Sequence, residues 1–159
     1  MLTLDSFRQL LTPNGQAALL AAERLKPTDA TLLRDLAALR KEFVPDLASA
    51  ALETVLLRQR ARAKFSRAEQ MYFTREALEQ ASGELVARHR AQRYAQVDGP
   101  IYDICCSIGG DALELAEAGS VLGLDIDPLR LAIAETNAAV YARSAQISFA
   151  LGDARSWTV

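Results

Sequence analysis

The sequence has few residues that could build a covalent or metal-held framework. Among its 159 residues are two cysteines, Cys105 and Cys106, which are adjacent, and a single histidine. Neighbouring cysteines cannot join distant segments, and two thiols without a nearby histidine make a poor metal site. The sequence therefore predicts no disulfide framework and no metal, and reduced thiols indicate a cytoplasmic protein.

Long apolar runs and a strong excess of positive charge are also missing. No stretch of about 18 apolar residues occurs, so no transmembrane helix is predicted. The chain has 18 Lys and Arg residues and 20 Asp and Glu residues, which gives a net charge of −2. This balance excludes a uniformly basic nucleic-acid-binding protein, although it permits a local basic patch.

Charge and glycine divide the chain near residue 98. Residues 1–98 hold 15 basic and 12 acidic side chains, whereas residues 99–159 hold 3 and 8 and contain six of the eight glycines. The turn-forming stretch 97–100 (VDGP) marks the boundary. The sequence thus predicts an N-terminal helical domain over 1–98 and a second domain over 99–159.

The first segment has the composition of a helical bundle. Ala, Leu, Arg, Glu and Gln dominate it, and these residues favour helices. Ser66 and Glu69 have the spacing of a capping box. The apolar spacing predicts one long helix over 74–94, with Leu85 and Val86 on its buried face.

Within this segment, five cations occur in ten residues without an acid: Arg58, Arg60, Arg62, Lys64 and Arg67. Two interpretations remain open. The run is a solvated helix end whose cations suit the helix dipole, or it faces the phosphates of a nucleic acid. On the second interpretation, Arg58, Arg60, Arg62 and Lys64 are candidate RNA contacts.

The second segment predicts the order β-α-β-α-β. Apolar, β-prone runs occupy 101–106, 121–126 and 147–151, and helical patterns occupy 111–118 and 128–142. Such alternation predicts right-handed crossovers and a parallel sheet. The predicted fold class is α/β, with an N-terminal helical bundle followed by the first half of a Rossmann-like doubly wound sheet.

Ligands of doubly wound sheets bind beyond the carboxyl ends of the strands. There, Gly109 and Gly110 allow close approach of the backbone to a ligand. The Asp125 carboxylate can accept hydrogen bonds from both hydroxyls of a ribose, and the Ile126 side chain can pack against a flat ring. Asp153 can accept a hydrogen bond from an exocyclic amine, so the segment predicts a pocket for an adenosine with a charged tail.

Two such ligands are a dinucleotide and S-adenosylmethionine. Ser107 occupies the position of the first glycine in G-x-G-x-x-G/A, which weakens the dinucleotide interpretation. Asp103 lies within a predicted strand, where a buried acid needs a partner. An ammonium group supplies that partner and a pyrophosphate does not, so three carboxylates in one pocket favour the cationic amino-acid tail.

Residues 101–153 resemble the first half of a class I S-adenosylmethionine-dependent methyltransferase. The stretch 103–110 (DICCSIGG) resembles the glycine-rich motif D-x-x-C-G-x-G-G, 123–128 (GLDIDP) the ribose motif, and 151–154 (LGDA) the adenine motif. The stretch 72–81 (YFTREALEQA) resembles the segment that precedes the core in trimethylguanosine synthase-like enzymes and in bacterial methyltransferases with a THUMP-like domain.

The resemblance implies a role for each motif residue. Asp103 would hold the methionine ammonium, Asp125 the ribose, and Asp153 with the Ala154 N–H the adenine edge. Serine at position 107, where the family usually has glycine, fits the turn if its φ angle is negative. The implied cofactor-binding set is Asp103, Cys106, Ser107, Gly109, Gly110, Asp125, Ile126, Asp153 and Ala154, with Phe73 and Thr74 in a lid.

The resemblance also implies that part of the core is missing. Three strands are predicted, whereas the family's core has seven, and no counterpart of its Asn/Asp-Pro-Pro-aromatic motif occurs, so no catalytic residue is predicted. We expect a fragment of an RNA-directed methyltransferase, whose truncated sheet self-associates through an open strand edge or is marginally stable. The alternative is a non-catalytic nucleotide-binding or helical interaction module. The acceptor remains open among rRNA, tRNA, cap-like guanosine and a small molecule.

Overall fold

The computed structural model describes residues 2–156. The chain forms two compact units, Met1–Arg60 and Ala61–Val159. The predicted division after residue 98 stays a prediction, and it falls inside the second unit. Among the described residues, none of the helices combines the length and the apolar character needed to cross a membrane.

The first unit is helical. Its helices are α1 (Leu4–Leu10), α2 (Pro13–Leu25), α3 (Leu32–Leu39) and α4 (Pro45–Ala61), the last of which ends one residue into the second unit. Local sequence explains the starts of the first two. Thr3 forms a capping box with Ser6, and the Thr12 hydroxyl accepts a hydrogen bond from the Gly15 N–H, with Pro13 as the first residue of α2. The core of this unit contains Phe7, Leu10, Leu19, Leu47 and Leu52.

Two short helices precede the sheet in the second unit: α5 (Arg75–Gln80) and α6 (Glu84–Gln92). The single helix predicted over 74–94 is therefore wrong. The Lys64 ammonium donates to the carbonyls of Leu78, Glu79 and Ala81 at 2.7, 3.1 and 2.8 Å, so a side chain satisfies the end of α5.

The break also changes which face of α6 is buried. Leu85 and Val86, which were predicted to be buried, are 77% and 56% exposed, and Ala87 and Ala91 are buried instead. The predicted capping box is wrong as well, because 66–70 form turns. The Ser66 N–H donates to Oε2 of Glu84 at 2.8 Å, which is a partner distant in sequence.

The rest of the second unit alternates strands and helices. The order is β1 (Ile101–Ile104), α7 (Gly110–Leu115), β2 (Val121–Asp125), α8 (Pro128–Val140) and β3 (Ile147–Leu151). The strands are parallel in the order β1-β2-β3, with Val121 opposite both Ile101 and Ile147. The α/β class is confirmed, and Asp127 caps α8 as its sequence indicates.

Strand β1 lies at an edge of the described sheet. Within residues 2–156 it pairs with β2 alone. Tyr102 and Ile104 of this strand are exposed. Self-association through this edge stays a prediction.

Gly123, in the middle of β2, permits close packing beneath the carboxyl edge of the sheet. A Cβ atom at this position would lie 2.7 Å from Cδ1 of Phe149 and 3.0 Å from Sγ of Cys106. Real Cβ contacts are not that short, so only glycine lets these two side chains pack against the central strand. Cys106 belongs to the loop that follows β1, and this contact places that loop beside β2.

Candidate functional site

A cleft of about 530 Å³ lies at the carboxyl ends of the three strands. Its volume is typical of small-molecule sites. The predicted residues that line it are Asp103, Cys106, Ser107, Gly110, Asp125, Ile126, Asp153 and Ala154. Gly109 precedes α7 and is buried, Phe73 is buried, and Thr74 caps α5; these three are outside the lining.

The loop of residues 105–109, here called the glycine-rich loop, has an unusual backbone. Cys105, Ser107 and Gly109 have φ angles of 64°, 53° and 80°. The condition of a negative φ, under which serine was expected to fit this turn, is therefore not met at Ser107. A non-glycine residue in this region costs about 1–2 kcal/mol, so contacts with the surrounding structure must hold the loop in place.

Backbone groups of the glycine-rich loop are fixed to the neighbouring strand. The Cys106 N–H donates to the Leu124 carbonyl at 2.9 Å, and the Gly109 N–H donates to the Cys106 carbonyl at 2.8 Å. The Ser107 N–H donates to Oδ2 of Asp125 at 2.8 Å. The loop is thus tied to the end of β2 by main-chain and carboxylate acceptors.

Asp125 is buried, and its carboxylate orients two segments at once. Its Oδ2 accepts from Ser107, and its Oδ1 accepts from the Asp127 N–H at 3.0 Å. A carboxylate oxygen can accept more than one hydrogen bond. Asp125 can therefore accept further hydrogen bonds from a ligand in the cleft that it lines.

Asp103 has the least satisfied carboxylate in the cleft. Its Oδ2 atom is buried and has no hydrogen-bond partner among the described residues. The pKa of Asp103 is raised to about 6, chiefly by burial and also by the nearby Asp111 and Asp125 carboxylates, while the Ala112 N–H and Arg90 lower it. Such an atom is costly to bury unless a ligand supplies a donor.

Asp111, at the start of α7, lies on the same wall. Its Oδ1 atom is also buried without a hydrogen-bond partner in the described chain, and its Oδ2 forms an ion pair with Nη1 of Arg90 on α6. Asp111 is therefore partly neutralised, and Asp103 is the carboxylate more in need of a cation.

The Asp153 carboxylate, by contrast, has a cationic partner. Nε and Nη2 of Arg155 bind it, the shortest contact being 2.6 Å from Nη2 to Oδ2. The Arg155 guanidinium lowers the pKa of Asp153 from its ordinary value. The cleft is consequently less negative than three carboxylates alone would suggest.

One wall of the cleft was missed by the sequence analysis. Ala77 and Gln80 of α5, Ala81 and Ser82 just after it, and Arg130 of α8 line the cleft. Nη2 of Arg130 lies 2.8 Å from Oε2 of Glu76, so an ion pair joins the two helices. The prediction of one continuous helix over 74–94 did not indicate this wall. The carbonyls at the end of α5 bind Lys64, which is distant in sequence.

The basic run has partners within the chain. In the first unit, Arg58 pairs with Glu23 and Arg60 with Asp29. In the second unit, Arg62 pairs with Glu69, Lys64 binds the three carbonyls described above, and Arg67 donates to the Val140 carbonyl. The side chains of Arg60 and Arg62 are 43% and 62% exposed, whereas that of Arg58 is 11% exposed. The assignment of these residues as RNA contacts stays a prediction.

Two family models match the chain. Residues 99–158 match the family described as RNA cap guanine-N2 methyltransferase. Residues 3–61 match a domain of unknown function. The first match covers the three strands, α7 and α8, whereas α5 and the residues after it, which form one wall of the cleft, lie outside it.

Related proteins of known sequence agree with this match. Two uncharacterized S-adenosylmethionine-dependent methyltransferases of Mycobacterium tuberculosis, from strains CDC 1551 / Oshkosh and ATCC 25618 / H37Rv, are each 42% identical over 109 residues. The alignments cover 64% of this chain and 30% of each relative, so the chain spans less than a third of their length.

A solved structure also resembles part of the chain. The crystal structure of the [4+2]-cyclase SpnF aligns with a TM-score of 0.41 and 26% identity over 50% of this chain and 32% of that one.

The two relatives are named as S-adenosylmethionine-dependent, and the unpartnered Asp103 oxygen in the cleft of this chain is of a kind that suits a cationic group. Residues 99–158 thus match a methyltransferase family model, and the chain is similar over 109 residues to S-adenosylmethionine-dependent methyltransferases.

Proposed function

We propose that the second unit is the cofactor-binding part of a methyltransferase that acts on RNA. The observation that carries this proposal is the buried, unpartnered Oδ2 atom of Asp103 in a cleft of about 530 Å³. A buried carboxylate oxygen of this kind suits a cationic ligand group. When bound, S-adenosylmethionine supplies an electrophilic methyl group on its sulfonium sulfur.

In this proposal, different cleft residues bind different parts of the cofactor. Asp103 accepts hydrogen bonds from the methionine ammonium, and the remaining lone pairs of Asp125 accept from the ribose hydroxyls. The backbone of the glycine-rich loop lines the methionine tail. At Gly110, the nearest atom to an added Cβ is Cζ of Phe65 at 3.5 Å, so the Phe65 ring lies in van der Waals reach of this cleft residue.

The adenine end is the more open part of the proposed site. Ile126 is 65% exposed at the rim, where it offers an apolar surface to the adenine ring. Asp153 and the Ala154 N–H are proposed to bind the adenine edge. An adenine amine then shares the Asp153 carboxylate with Arg155 or displaces that guanidinium.

Phe73 and Thr74 are proposed to act through α5 rather than by touching the cofactor. The Thr74 hydroxyl accepts a hydrogen bond from the Ala77 N–H, and the Phe73 ring packs near that of Phe65, with centroids 5.7 Å apart. Both residues thereby fix the start of the helix whose end lines the cleft. They would position the lid and would not form its inner surface.

RNA is the proposed acceptor class. Its support is the description of the family that matches residues 99–158, which names an RNA cap guanine. Within that class, a trimethylguanosine synthase-like or THUMP-like branch remains the proposal from the resemblance of residues 72–81. A cytoplasmic location is likewise a proposal, based on the cysteine content.

Calorimetric titration with S-adenosylhomocysteine, beside NAD, tests the cofactor. We expect binding of the first ligand and none of the second. Asp103→Asn should weaken S-adenosylhomocysteine binding at least tenfold, because a hydrogen bond to a charged group contributes about 1.5–3 kcal/mol. Asp98→Asn is the matched control, since it removes the same charge from an exposed position outside the cleft. Equal losses in both variants, or tighter binding of NAD, would refute the proposal.

The basic run gives a prediction for RNA binding. Arg60 and Arg62 have exposed ion pairs, which contribute little to stability and can be exchanged for phosphate contacts. Each change to alanine should reduce the slope of log K against log salt by about 0.7 for single-stranded RNA. Arg24→Ala, an exposed cation outside the run, is the control. Unchanged slopes in filter-binding measurements would leave the run with a structural role only.

A further inference from the structure

A single buried amide joins the glycine-rich loop to the segment before the sheet. Asn137 of α8 is fully buried. Its Nδ2 donates to the Ile108 carbonyl at 3.2 Å and to the Tyr72 carbonyl at 3.1 Å. Its Oδ1 accepts from the Tyr72 N–H at 2.9 Å. One side chain therefore holds both backbone polar groups of Tyr72 and one of the loop.

The sequence signal for this contact was present but was not used. The buried face of α8 is otherwise apolar, with Leu131, Ile133, Ala134 and Ala138. An asparagine on such a face must satisfy its amide, since a buried polar group without partners costs about 1–3 kcal/mol. Its partners lie 29 and 65 residues away, so neighbouring sequence does not reveal them.

Apolar contacts accompany the amide. The Phe65 ring lies against Gly110, where Cζ would be 3.5 Å from an added Cβ atom, and it also packs near the Phe73 ring. Phe65 and Phe73 are 3% and 1% exposed. Phe65 thus packs against the first residue of α7, which directly follows the glycine-rich loop, and Phe73 packs beside Phe65.

We propose that Asn137 is a positioning residue of the cofactor site: it couples docking of Tyr72 to the conformation of the glycine-rich loop. The proposal rests on the proposed function of the cleft. The loop contains Cys105 and Ser107 in left-handed conformations, which an unsupported chain leaves readily. If only a fraction of the molecules has the loop in the conformation that binds the ligand, the apparent Kd is the intrinsic Kd divided by that fraction.

Hydrogen exchange in the ligand-free chain tests the coupling by itself. In Asn137→Ala, we expect protection to fall together at Tyr72 and at Ser107 and Gly109 of the loop, while the β2 amides keep theirs. Thr136→Ala is the matched control, because the Thr136 hydroxyl donates only to Ala132 of the same helix among the hydrogen bonds described. Loss of protection at Tyr72 alone, or across the whole sheet, would overturn the coupling.

A double variant separates positioning from general destabilisation. We expect Asn137→Ala to raise the Kd for S-adenosylhomocysteine about tenfold, as for a competent population of about one tenth. Ser107→Gly removes the conformational penalty at that residue, so the loss caused by Asn137→Ala should be at least about threefold smaller in that background. Equal losses in both backgrounds would overturn the proposal.

The outcomes also distinguish this inference from the proposed function. Absence of S-adenosylhomocysteine binding by the unaltered chain refutes the cofactor assignment. The exchange experiment uses no ligand, so it tests the coupling of Tyr72 to the loop in either case. Asn137→Asp is a second variant of nearly the same shape. In it, a carboxylate oxygen, which is an acceptor, replaces the Nδ2 donor that binds the Tyr72 and Ile108 carbonyls. It should reproduce the alanine pattern, and wild-type protection in this variant would contradict the role of the amide.

Discussion

Asparagine at position 103 is expected to stabilise the ligand-free chain by about 3 kcal/mol at pH 7 while it weakens cofactor binding. The pKa of Asp103 is raised from its ordinary value of 3.8 to about 6, chiefly by burial. Each pKa unit corresponds to about 1.4 kcal/mol. At neutral pH the folded protein carries the cost of this buried charge, and the isosteric amide removes it.

The pH dependence follows from the direction of the shift. Because the folded-state pKa is raised, protonation of Asp103 contributes stability that is fully present below about pH 4 and is lost as the pH rises through about 6. The difference in stability between Asp103→Asn and the unaltered protein should therefore be largest at pH 7 and should vanish near pH 3.5. Hydrogen exchange of the β2 amides measures it within the second unit.

Ligand binding should show the opposite trend. The ionised carboxylate is the form that accepts from an ammonium group, so affinity for S-adenosylhomocysteine should fall about tenfold between pH 7 and pH 5. Asp103→Asn should show no such change. The titratable and charged groups near Asp103 are Asp111, Arg90, Asp125 and the Cys106 thiol. If the affinity of the unaltered protein does not change with pH, or if the affinity of Asp103→Asn changes equally, the titrating group is not Asp103.

Gly15→Ala is expected to destabilise the first unit by about 3 kcal/mol, the upper end of typical overpacking costs. An added Cβ atom would lie 2.1 Å from the Gln9 carbonyl oxygen and 2.4 Å from Cα of Leu10. These are backbone atoms of α1, so no side-chain rotation relieves the clash. Helices α1 and α2 would have to separate, which exposes the buried Phe7 and Leu10.

The effect should be confined to the first unit. A domain of about 60 residues buries a smaller fraction of its surface on folding than a larger domain does and is marginally stable, so a loss of this size should unfold much of it in mild denaturant. Gly119→Ala is the control, because its nearest neighbour would be Cδ1 of Ile101 at 3.8 Å and its φ is not positive. Residue-resolved exchange of α1 and α2 provides the measurement. A change below about 0.5 kcal/mol, typical of neutral surface substitutions, would show that α1 can move away freely.

The alternation of elements in the second unit was predictable because each signal is local. The pair Asp127 and Pro128 starts α8 by capping chemistry, and the apolar run 121–125 forms the central strand because both of its faces are covered. Asp103, Asp125 and Asp153 were correctly placed near the strand ends. Parallel strands bring their carboxyl ends to one edge whatever their exact packing.

The helical segment before the sheet was harder to predict because its decisive contacts are distant in sequence. Lys64 looks like one member of a basic run, yet its ammonium caps α5 through carbonyls 14 to 17 residues away. That contact satisfies the carbonyls at the end of α5, and beyond the break Leu85 and Val86 of α6 are exposed. Helical periodicity contains no information about such a partner.

In the glycine-rich loop, too, the local sequence determines some features and the tertiary structure determines others. Its sequence determined its place after β1 and the identity of its small residues, because strand and turn preferences act over a few neighbours. Only the tertiary structure decided that Ser107 adopts a left-handed conformation, held by Asp125 on one side and supported through Ile108 by Asn137 on the other. The conformational penalty is local, whereas the hydrogen bonds that offset it come from residues 18 and 29 positions away, and these meet the loop only when the sheet and α8 have packed.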